Sequence, residues 1–220
     1  MKGSGETNME VIDRFDGGVG WLAYPEERMQ RASHALAVDG EVWLVDPVDA
    51  DGVDDLVAEY GEVAGVVVLL DRHKRDAGVI ARRHDVPVAI PRWMTGVASK
   101  LGTRVERIDD ALGDTDYELT TVVDTVGWQE GALYDGETLY VPEALGTVDF
   151  YRAPGETLGV HPVLRLTPPR SLRDLAVDRL LVGHGAGIDD DADVAIARAV
   201  DGARRNAPGL YAKMVRGFLS

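Results

Sequence analysis

The sequence predicts an α/β fold in which two sheets pack together and helices cover their outer faces. Strand and helix patterns alternate as β–α–β–α–β through the first half of the chain, and hairpins and βα units recur in the second half. The chain has 220 residues, of which 45% are hydrophobic, so it is long enough to bury a large core. These observations together favour a sizeable α/β domain.

The domain boundaries follow from where the apolar patterning begins. Residues 1–8 contain Gly3, Ser4 and Gly5 and show no apolar periodicity, so we expect a flexible N-terminal tail there. No linker, repeat or low-complexity run interrupts residues 9–220. We therefore predict a single domain over that range.

The first half of the chain opens with a predicted hairpin. A weakly alternating strand over Ala32–Asp39 leads through an Asp39–Gly40 turn into a second strand, Glu41–Asp46, which Pro47 ends. A helix, a buried apolar strand, a second helix and a third strand follow, over Gly52–Tyr60, Val66–Leu70, Arg75–His84 and Val86–Ile90.

The second half contains a clear hairpin and ends in helices. The Asp135–Gly136 dipeptide is typical of a two-residue hairpin turn between strands over Gly131–Tyr134 and Thr138–Val141. The other predicted elements are strands over Tyr117–Val123 and Leu180–Val182, and helices over Ala192–Arg205 and Leu210–Leu219.

The charge balance excludes several classes of partner. Asp and Glu total 38 against 23 Lys and Arg, which gives a net charge of −15. Such a surface repels phosphate backbones and anionic lipids, so we expect neither nucleic acid nor membrane as a partner. Only four of the 23 basic residues are Lys. An Asp-rich, Lys-poor surface is typical of a salt-rich cytoplasm and indicates a halophilic source, with an ordinary acidic protein as the alternative.

Cysteine usage and hydropathy point to a cytoplasmic protein. The chain has no Cys, which excludes disulfides, thiol nucleophiles and Cys-type zinc sites. No apolar run approaches the ~18 residues of a membrane span, and the N-terminus shows no apolar segment typical of a signal peptide.

Four segments resemble a known family when taken in order. They are EVWLVDP, VVVLLDRHKRDAG, GALYDGETLYVPEAL and LLVGHG before a long helix. Their order and spacing resemble the metallo-β-lactamase fold from about Glu10 to Arg205. The resemblance implies a four-layer αββα sandwich and, in the family, a two-metal hydrolase site.

The family's central motif, T-H-x-H-x-D-H, is altered here. Aligning its Asp with Asp76 places Arg72, Lys74 and Ala77 where the family has histidines. His73 then falls on an intervening position, and we expect its side chain to point away from the site or toward its rim. An Arg is always protonated and binds no metal.

The other ligand positions are only partly kept. The family's Pro-Gly-His-Thr stretch corresponds to residues 124–130, which contain no His. The Asp that bridges the metals corresponds to Glu143, and the last His matches His184. The resemblance therefore implies a dismantled two-metal site with no cofactor expected. Zinc or another divalent metal on Asp76, Glu143 and His184 is the alternative.

Without metals, two buried carboxylates would need other partners. We therefore expect Arg72 or Lys74 to form ion pairs with Asp76, Glu143 or both. The same basic cluster, with His73, could capture a small anion. Trp128 and His34 are further candidates for lining that pocket, although a histidine in an early strand such as His34 is more often a hydrogen-bonded core residue. His84 and His161 are expected to be structural.

Three functions remain open on the sequence. The favoured one is a non-hydrolytic domain that binds a small anionic molecule or acts through a partner. The second is a hydrolase of an ester, thioester, lactone or phosphodiester with an atypical single-metal site, in which Asp76, Glu143 and His184 carry the chemistry. The third is a structural or assembly protein, with a homodimer as one form of it. No glycine-flanked serine elbow and no phosphate-binding glycine loop supports another class.

Overall fold

A computed structural model describes residues 8–219, which form thirteen strands and four α-helices. The predicted tail falls mostly on residues 1–7, which lie outside the described residues. The strands are β1 Glu10–Phe15, β2 Gly18–Leu22, β3 Ala32–Val38, β4 Glu41–Val45, β5 Glu62–Val67, β6 Val88–Pro91, β7 Val105–Ile108, β8 Glu118–Thr125, β9 Trp128–Tyr134, β10 Thr138–Val141, β11 Leu145–Gly146, β12 Gly159–Val160 and β13 Arg179–Val182. The helices are α1 Val53–Ala58, α2 Ala77–Arg83, α3 Ala98–Leu101 and α4 Ala192–Leu219.

Two sheets contain most of the strands. The first has the order β1-β2-β3-β4-β5-β6-β7, antiparallel from β1 to β4 and parallel from β4 to β7. The second has the order β13-β10-β9-β8, and β10 pairs with β13 in parallel. The strands β11 and β12 form a small separate ladder.

The buried side chains form three clusters, one between each pair of neighbouring layers, and these confirm the predicted αββα order. One cluster joins α1 and α2 to the outer face of the seven-stranded sheet. A second cluster lies between the sheets, where Trp43 and Val67 from the first sheet meet Leu133 and Tyr140 from the second. The third packs α4 on the outer face of the four-stranded sheet through Ile196 and its neighbours.

Both predicted hairpin turns are present, and their backbone explains the residue choice. Asp39 and Gly40 have φ values of 53° and 83°, the pair of positive values that a tight two-residue turn between twisted strands requires. In the second hairpin, the Asp135 carboxylate accepts the backbone N–H groups of Glu137 and Thr138. These local bonds fix the register of β9 against β10.

The structure corrects the prediction for the C-terminal helices. The two predicted helices, Ala192–Arg205 and Leu210–Leu219, are one continuous helix, α4, with Pro208 inside it. Proline removes one N–H and usually disturbs a helix. Here Ala207 and Leu210, on either side of Pro208, are buried in the fold, and this packing holds the helix together across the proline.

No helix within the described residues is long and apolar enough to cross a membrane.

Candidate functional site

Five strand ends meet at one edge of the sandwich and carry its polar residues. The strands β4 and β5 run parallel, so Asp46 and the 71–76 segment follow them at the same edge. The strands β10 and β13 also run parallel and lead into Glu143 and His184. Because β9 runs antiparallel to β10, its first residues lie at this edge too. Irregular backbone after a strand end leaves side chains free to converge.

Three side chains at this edge lie close enough together to bind one metal ion. Possible donor atoms of His73, Glu143 and His184 all lie within 4.8 Å of one another. His73 Nε2 lies 2.7 Å from Glu143 Oε2, and His184 Nε2 lies 3.7 Å from that oxygen. The three side chains are 13%, 14% and 5% exposed, so the cluster is nearly closed to solvent.

His73 is held between two carboxylates. Its Nε2 contacts Glu143, and its Nδ1 lies 3.8 Å from Asp46 Oδ2. Burial and the nearby charge of Arg75 would lower the pKa of His73, but the two carboxylates outweigh them and raise it above its ordinary value. Asp46 is itself fully buried, and Tyr140 donates a hydrogen bond to its Oδ2 at 3.1 Å.

Glu143 is the central anion of the cluster. Burial alone would raise the pKa of Glu143, but its contacts with His184 and His73 outweigh burial and hold that pKa well below its usual range. Glu143 is therefore a carboxylate at any neutral pH and offers oxygen lone pairs to a cation or a proton donor.

His184 presents a free lone pair to the cluster. Its Nδ1 lies 2.8 Å from the carbonyl oxygen of Met29, which fixes the proton on Nδ1. Its buried Nε2 has no hydrogen-bond partner among the described residues. Burial lowers the pKa of His184, so the ring is neutral at pH 7. A neutral imidazole held by a backbone carbonyl is the arrangement that metal-ligating histidines commonly have.

His161 has the opposite tautomer and was not singled out as a site residue by the sequence. Its Nδ1 accepts the backbone N–H of Val163 at 3.2 Å, which places the proton of the neutral ring on Nε2. That Nε2 lies 3.5 Å from Glu143 Oε1. Burial lowers the pKa of His161 to about 4, so the ring is neutral at pH 7. The ring of Tyr151 packs against both His161 and His184.

Glu130 accepts hydrogen bonds from the backbone that carries Glu143 and so holds this part of the cluster in place. It is fully buried, and its Oε1 accepts the backbone N–H groups of Glu143 and Ala144 at 2.8 and 2.7 Å. Its Oε2 accepts the indole N–H of Trp128 at 2.7 Å. Burial raises the pKa of Glu130 to about 7 although these N–H groups oppose the shift. This carboxylate therefore connects the start of β9 to the loop that carries Glu143.

Arg75 is a cation built into the site. Its guanidinium donates to the carbonyl oxygens of Ala32, Asp46 and Gly183, which follow or begin strands of both sheets. Arg75 has a φ of 38°, a left-handed turn that departs from strand geometry. The guanidinium thus fastens the strand ends together and keeps a fixed positive charge beside the histidine cluster.

The predicted ion pairs of Arg72 and Lys74 are not formed, and that expectation is wrong. The Arg72 guanidinium lies over the Trp128 ring, 4.2 Å from its centroid. Lys74 is exposed, and the described residues contain no ion pair for it. The charge of Glu143 is met by histidines instead, because the chain leaves strand geometry after Leu70 and two-residue alternation does not apply to residues 71–76.

The structure also shows where three other predicted site residues lie relative to the cluster. Asp76 lies away from the three-residue cluster, and its Oδ2 accepts the backbone N–H of Asp49 at 3.0 Å. His73 replaces it in the set of possible ligands, so of the two expected positions for its side chain, away from the site or toward its rim, the first is wrong. His34 is fully buried on β3 and pairs with Asp13 at 2.9 Å, which matches its alternative reading as a hydrogen-bonded core residue.

The donor set suits one metal ion. Two imidazoles and a carboxylate are ligands that zinc and related divalent ions accept, and the unpartnered Nε2 of His184 faces the other donors. Asp46 supplies a second carboxylate beside His73. Among the described residues this is the one group of three such side chains whose donor atoms converge, and the Arg75 guanidinium adds a positive charge at the adjoining strand ends.

Comparison with solved structures places the fold. DIM-1 metallo-β-lactamase exposed to ceftazidime matches with a TM-score of 0.64 and 11% identity, over 91% of this chain and 100% of its own. A metallo-β-lactamase from Pontibacter korlensis matches at 0.62 and 13%, over 88% and 99%. The mono-zinc form of FIM-1 from Pseudomonas aeruginosa matches at 0.56 and 10%, over 90% and 97%.

No family model and no curated protein sequence matches this chain. The likeness is therefore one of structure, and at 10–13% identity it shows the fold alone. The layer order, the strand-end cluster and these superpositions agree: this chain has the metallo-β-lactamase fold.

Proposed function

We propose that this chain binds a single divalent metal ion through His73, Glu143 and His184 and hydrolyses an ester, thioester, lactone or phosphodiester. The observation that carries the proposal is the buried, unpartnered Nε2 of His184, which faces the Glu143 carboxylate while Met29 fixes the other ring nitrogen. A bound ion would supply Lewis acidity toward the carbonyl or phosphoryl oxygen of a substrate.

Side chains around the proposed metal position hold its ligands in place and offer a hydrogen-bond donor to the substrate. Asp46 faces Nδ1 of His73, and Glu130 fixes the backbone of Glu143, so two of the three ligands have a carboxylate behind them. The Nε2–H of His161 faces the cluster and can donate a hydrogen bond to the oxygen of a leaving group. Tyr151 and Trp128 pack against the His161 ring and limit access of water.

The fixed charge of Arg75 explains why one ion is proposed rather than two. At ~5 Å and an effective dielectric constant of ~20, two unit charges interact by about 3 kcal/mol, and a divalent ion doubles that figure. The negative charges of Glu143 and Asp46 compensate one ion and leave a second without a carboxylate of its own.

One observation favours a second candidate, the non-hydrolytic domain. His73 Nε2 already contacts Glu143 at 2.7 Å, which neutralises that carboxylate without a metal. Arg72 and Lys74 are exposed nearby and would attract a small anion. In this alternative the cluster only stabilises the loops, and the basic side chains bind the ligand.

Reconstitution distinguishes the two candidates. Protein freed of metal by chelation is loaded with zinc, manganese or iron(II) and assayed with p-nitrophenyl acetate, a thioester and bis-p-nitrophenyl phosphate. The proposal predicts activity that appears with metal and is lost in His184→Ala and Glu143→Gln. His84→Ala, which removes a histidine that pairs with Asp54, is the matched control and keeps activity.

The proposed function fails if metal-loaded wild-type protein hydrolyses none of these substrates. It also fails if His184→Ala hydrolyses them as fast as His84→Ala. Binding of phosphate or acetate that weakens in Arg72→Ala, together with no hydrolysis, would establish the non-hydrolytic candidate in its place.

A further inference from the structure

A buried hydroxyl beside the candidate site has no partner in the fold. Tyr151 is fully buried, and nothing among the described residues forms a hydrogen bond with its hydroxyl. Burying a hydroxyl without a partner costs free energy, and polar side-chain atoms inside proteins nearly always have one. An unpartnered buried donor therefore indicates a position where a bound ligand supplies the missing acceptor.

The Tyr151 ring lies against two histidines of the site. It stacks on the His184 ring at a centroid distance of 5.7 Å and meets the His161 ring edge-on at 5.2 Å. His184 is one of the three proposed metal ligands, and Nε2 of His161 lies 3.5 Å from Glu143 Oε1. The phenol is therefore in direct contact with a proposed ligand of the metal.

The hydroxyl itself, and not only the ring, lies near the Glu143 carboxylate. Burial raises the pKa of Tyr151 well above its ordinary value, and the charge of Glu143 is the next largest cause, ahead of that of Glu130. The charges of Arg75 and Arg72 oppose this rise less strongly. All four charged groups belong to the candidate site or its surroundings, which indicates that the hydroxyl is directed toward the site. Because its pKa is high, the hydroxyl keeps its proton at neutral pH and can donate a hydrogen bond.

The backbone around Tyr151 holds the ring in a fixed position. Its N–H donates to the Val148 carbonyl at 3.0 Å, and its carbonyl accepts from the buried Arg165 guanidinium at 2.5 Å. Two glycines leave room for it, since a Cβ at Gly146 would lie 3.0 Å from the ring and one at Gly159 would lie 2.2 Å from the Tyr151 carbonyl oxygen. A donor that is held in place before the reaction needs no reorganisation to stabilise a developing charge.

We infer that Tyr151 is a catalytic residue whose hydroxyl donates a hydrogen bond to the carbonyl oxygen of an ester, thioester or lactone. The inference rests on the proposed hydrolase function. When water adds to the carbonyl carbon, the π electrons of the C=O bond move to its oxygen, which accepts the hydrogen bond while the proton stays on Tyr151. The electrons then return, the acyl C–O or C–S bond breaks, and the atoms of water are shared between a carboxylic acid and an alcohol or thiol.

The choice of an acyl substrate follows from when the oxygen becomes charged. A phosphodiester carries its negative charge before it reacts, so a hydrogen bond to it stabilises the bound substrate as well as the transition state. A carbonyl substrate is uncharged and gains negative charge on oxygen only during the reaction. The hydrogen bond from Tyr151 then strengthens in the transition state and raises kcat more than affinity.

Tyr151→Phe tests this role because it removes the hydroxyl and keeps the ring. With p-nitrophenyl acetate and metal-loaded protein, kcat should fall by about 100-fold while KM changes by less than about threefold. Tyr134→Phe is the matched control, because the Tyr134 hydroxyl lies 2.9 Å from the Gly136 carbonyl oxygen at the other end of β9, and the variant should keep the wild-type kcat. A kcat of Tyr151→Phe within about threefold of wild type would overturn the inference and would mean that the hydroxyl bonds only to a buried water.

Thermal unfolding of the metal-free protein separates a hydroxyl that binds a ligand from one that supports the fold. Tyr151→Phe removes an unpartnered buried polar group, so its unfolding temperature should equal or exceed that of wild type. A fall of about 2 °C or more would show that the hydroxyl is bonded within the protein, and would also overturn the inference.

Calorimetric titration with phenylboronic acid distinguishes this inference from the proposed function. The compound becomes a tetrahedral anion when it gains a hydroxide and so resembles the charged form of the substrate. Zinc-loaded wild type and Tyr134→Phe should bind it equally, and Tyr151→Phe should bind it about tenfold more weakly. If the affinities differ in this way while no ester is hydrolysed, the hydroxyl is the donor to a bound oxygen anion and the hydrolase proposal fails. If esters are hydrolysed and Tyr151→Phe matches wild type in kcat and in boronic acid affinity, the hydrolase proposal stands and the Tyr151 assignment fails.

Discussion

The buried carboxylate of Glu130 holds the backbone of Glu143. One oxygen of Glu130 accepts the N–H groups of both Glu143 and Ala144, while the other accepts the indole N–H of Trp128. Residues at the start of β9 thereby set the position of the carboxylate at the centre of the site. Glu130 touches no reacting group itself and is a positioning residue for Glu143.

Glu130→Gln should weaken metal binding without removing a ligand. The amide nitrogen of Gln cannot accept an N–H, so the variant loses either the bond from Trp128 or both bonds from Glu143 and Ala144, and the Glu143 loop is held less firmly. Removing an outer carboxylate of this kind typically costs 10- to 100-fold in metal affinity. Calorimetric titration with zinc measures the change. Glu137→Gln, on the exposed β9–β10 turn, should bind zinc as wild-type does, and equal affinity in both variants would contradict this role.

Arg75→Ala should destabilise the fold. It leaves the carbonyl oxygens of Ala32, Asp46 and Gly183 without their guanidinium partner. The Gly183 and Asp46 oxygens keep the Ala32 N–H and the Ser33 hydroxyl as donors, and an unsatisfied buried polar group costs about 1–3 kcal/mol, so we expect the free energy of unfolding to fall by about 1–3 kcal/mol. Urea denaturation measures it. Arg104→Ala, at an exposed arginine, should change stability by less than about 0.5 kcal/mol. If Arg75→Ala also lowers the free energy of unfolding by less than about 0.5 kcal/mol, the guanidinium does not hold the strand ends together.

Arg72→Ala should leave zinc affinity unchanged. The Arg72 guanidinium stacks on Trp128 and forms no ion pair with Glu143, so its removal costs only a cation–π contact of about 0.5–1 kcal/mol. Thermal unfolding of the variant measures the small loss of stability, and zinc titration measures its affinity for zinc. A rise in zinc affinity of tenfold or more would instead mean that the Arg72 charge repels the metal.

The ion pair between Glu156 and Arg165 should make stability depend on pH. Arg165 is fully buried and Glu156 is 9% exposed, and Asn206 of α4 also donates to Glu156. Burial would raise the pKa of Glu156, but Arg165 and Asn206 outweigh it and lower that pKa below the ordinary value of 4.5. A depressed folded-state pKa means that this stabilisation is present above about pH 4.5 and is lost as the pH falls through the folded value.

Glu156→Gln isolates this contribution. The variant should be less stable by about 3–5 kcal/mol at pH 7, because it leaves the buried Arg165 charge without its partner. The difference between the unfolding temperatures of wild type and variant should narrow between pH 5 and pH 3. A difference that stays constant over that range would show that the ion pair does not carry the pH dependence.

The sequence predicts the fold well where local pattern decides it. The Asp39–Gly40 and Asp135–Gly136 turns and the strand ending at Asp46 all depend on neighbouring residues. No element was predicted over β1 and β2, and β2 contains Gly18 and Gly20. A side chain at Gly18 would come within 2.1 Å of the Ala35 carbonyl oxygen, and one at Gly20 within 2.8 Å of the His34 ring. These glycines are required by the close approach of β2 to β3, which only the folded sheet reveals.

The candidate site is less predictable because it depends on irregular backbone. The alignment through Asp76 assumed that side chains alternate after β5, but the 71–76 segment turns and brings His73 inward. The left-handed conformation of Arg75 could not be read from the sequence. His161 reaches the site only because the short β11–β12 ladder folds its segment back over Glu143. Glu130 was likewise missed, because it lies just before the predicted strand Gly131–Tyr134, and only the structure shows that it is a buried residue of β9.

Zinc stoichiometry tests the central claim most directly. Metal-free wild-type protein, His184→Ala and His84→Ala are titrated with zinc by calorimetry under identical buffer conditions. A single-metal centre on His73, Glu143 and His184 predicts about one zinc per chain for wild type and His84→Ala, and loss of that site in His184→Ala. Two zinc ions per wild-type chain, or one zinc retained with unchanged affinity in His184→Ala, would contradict it.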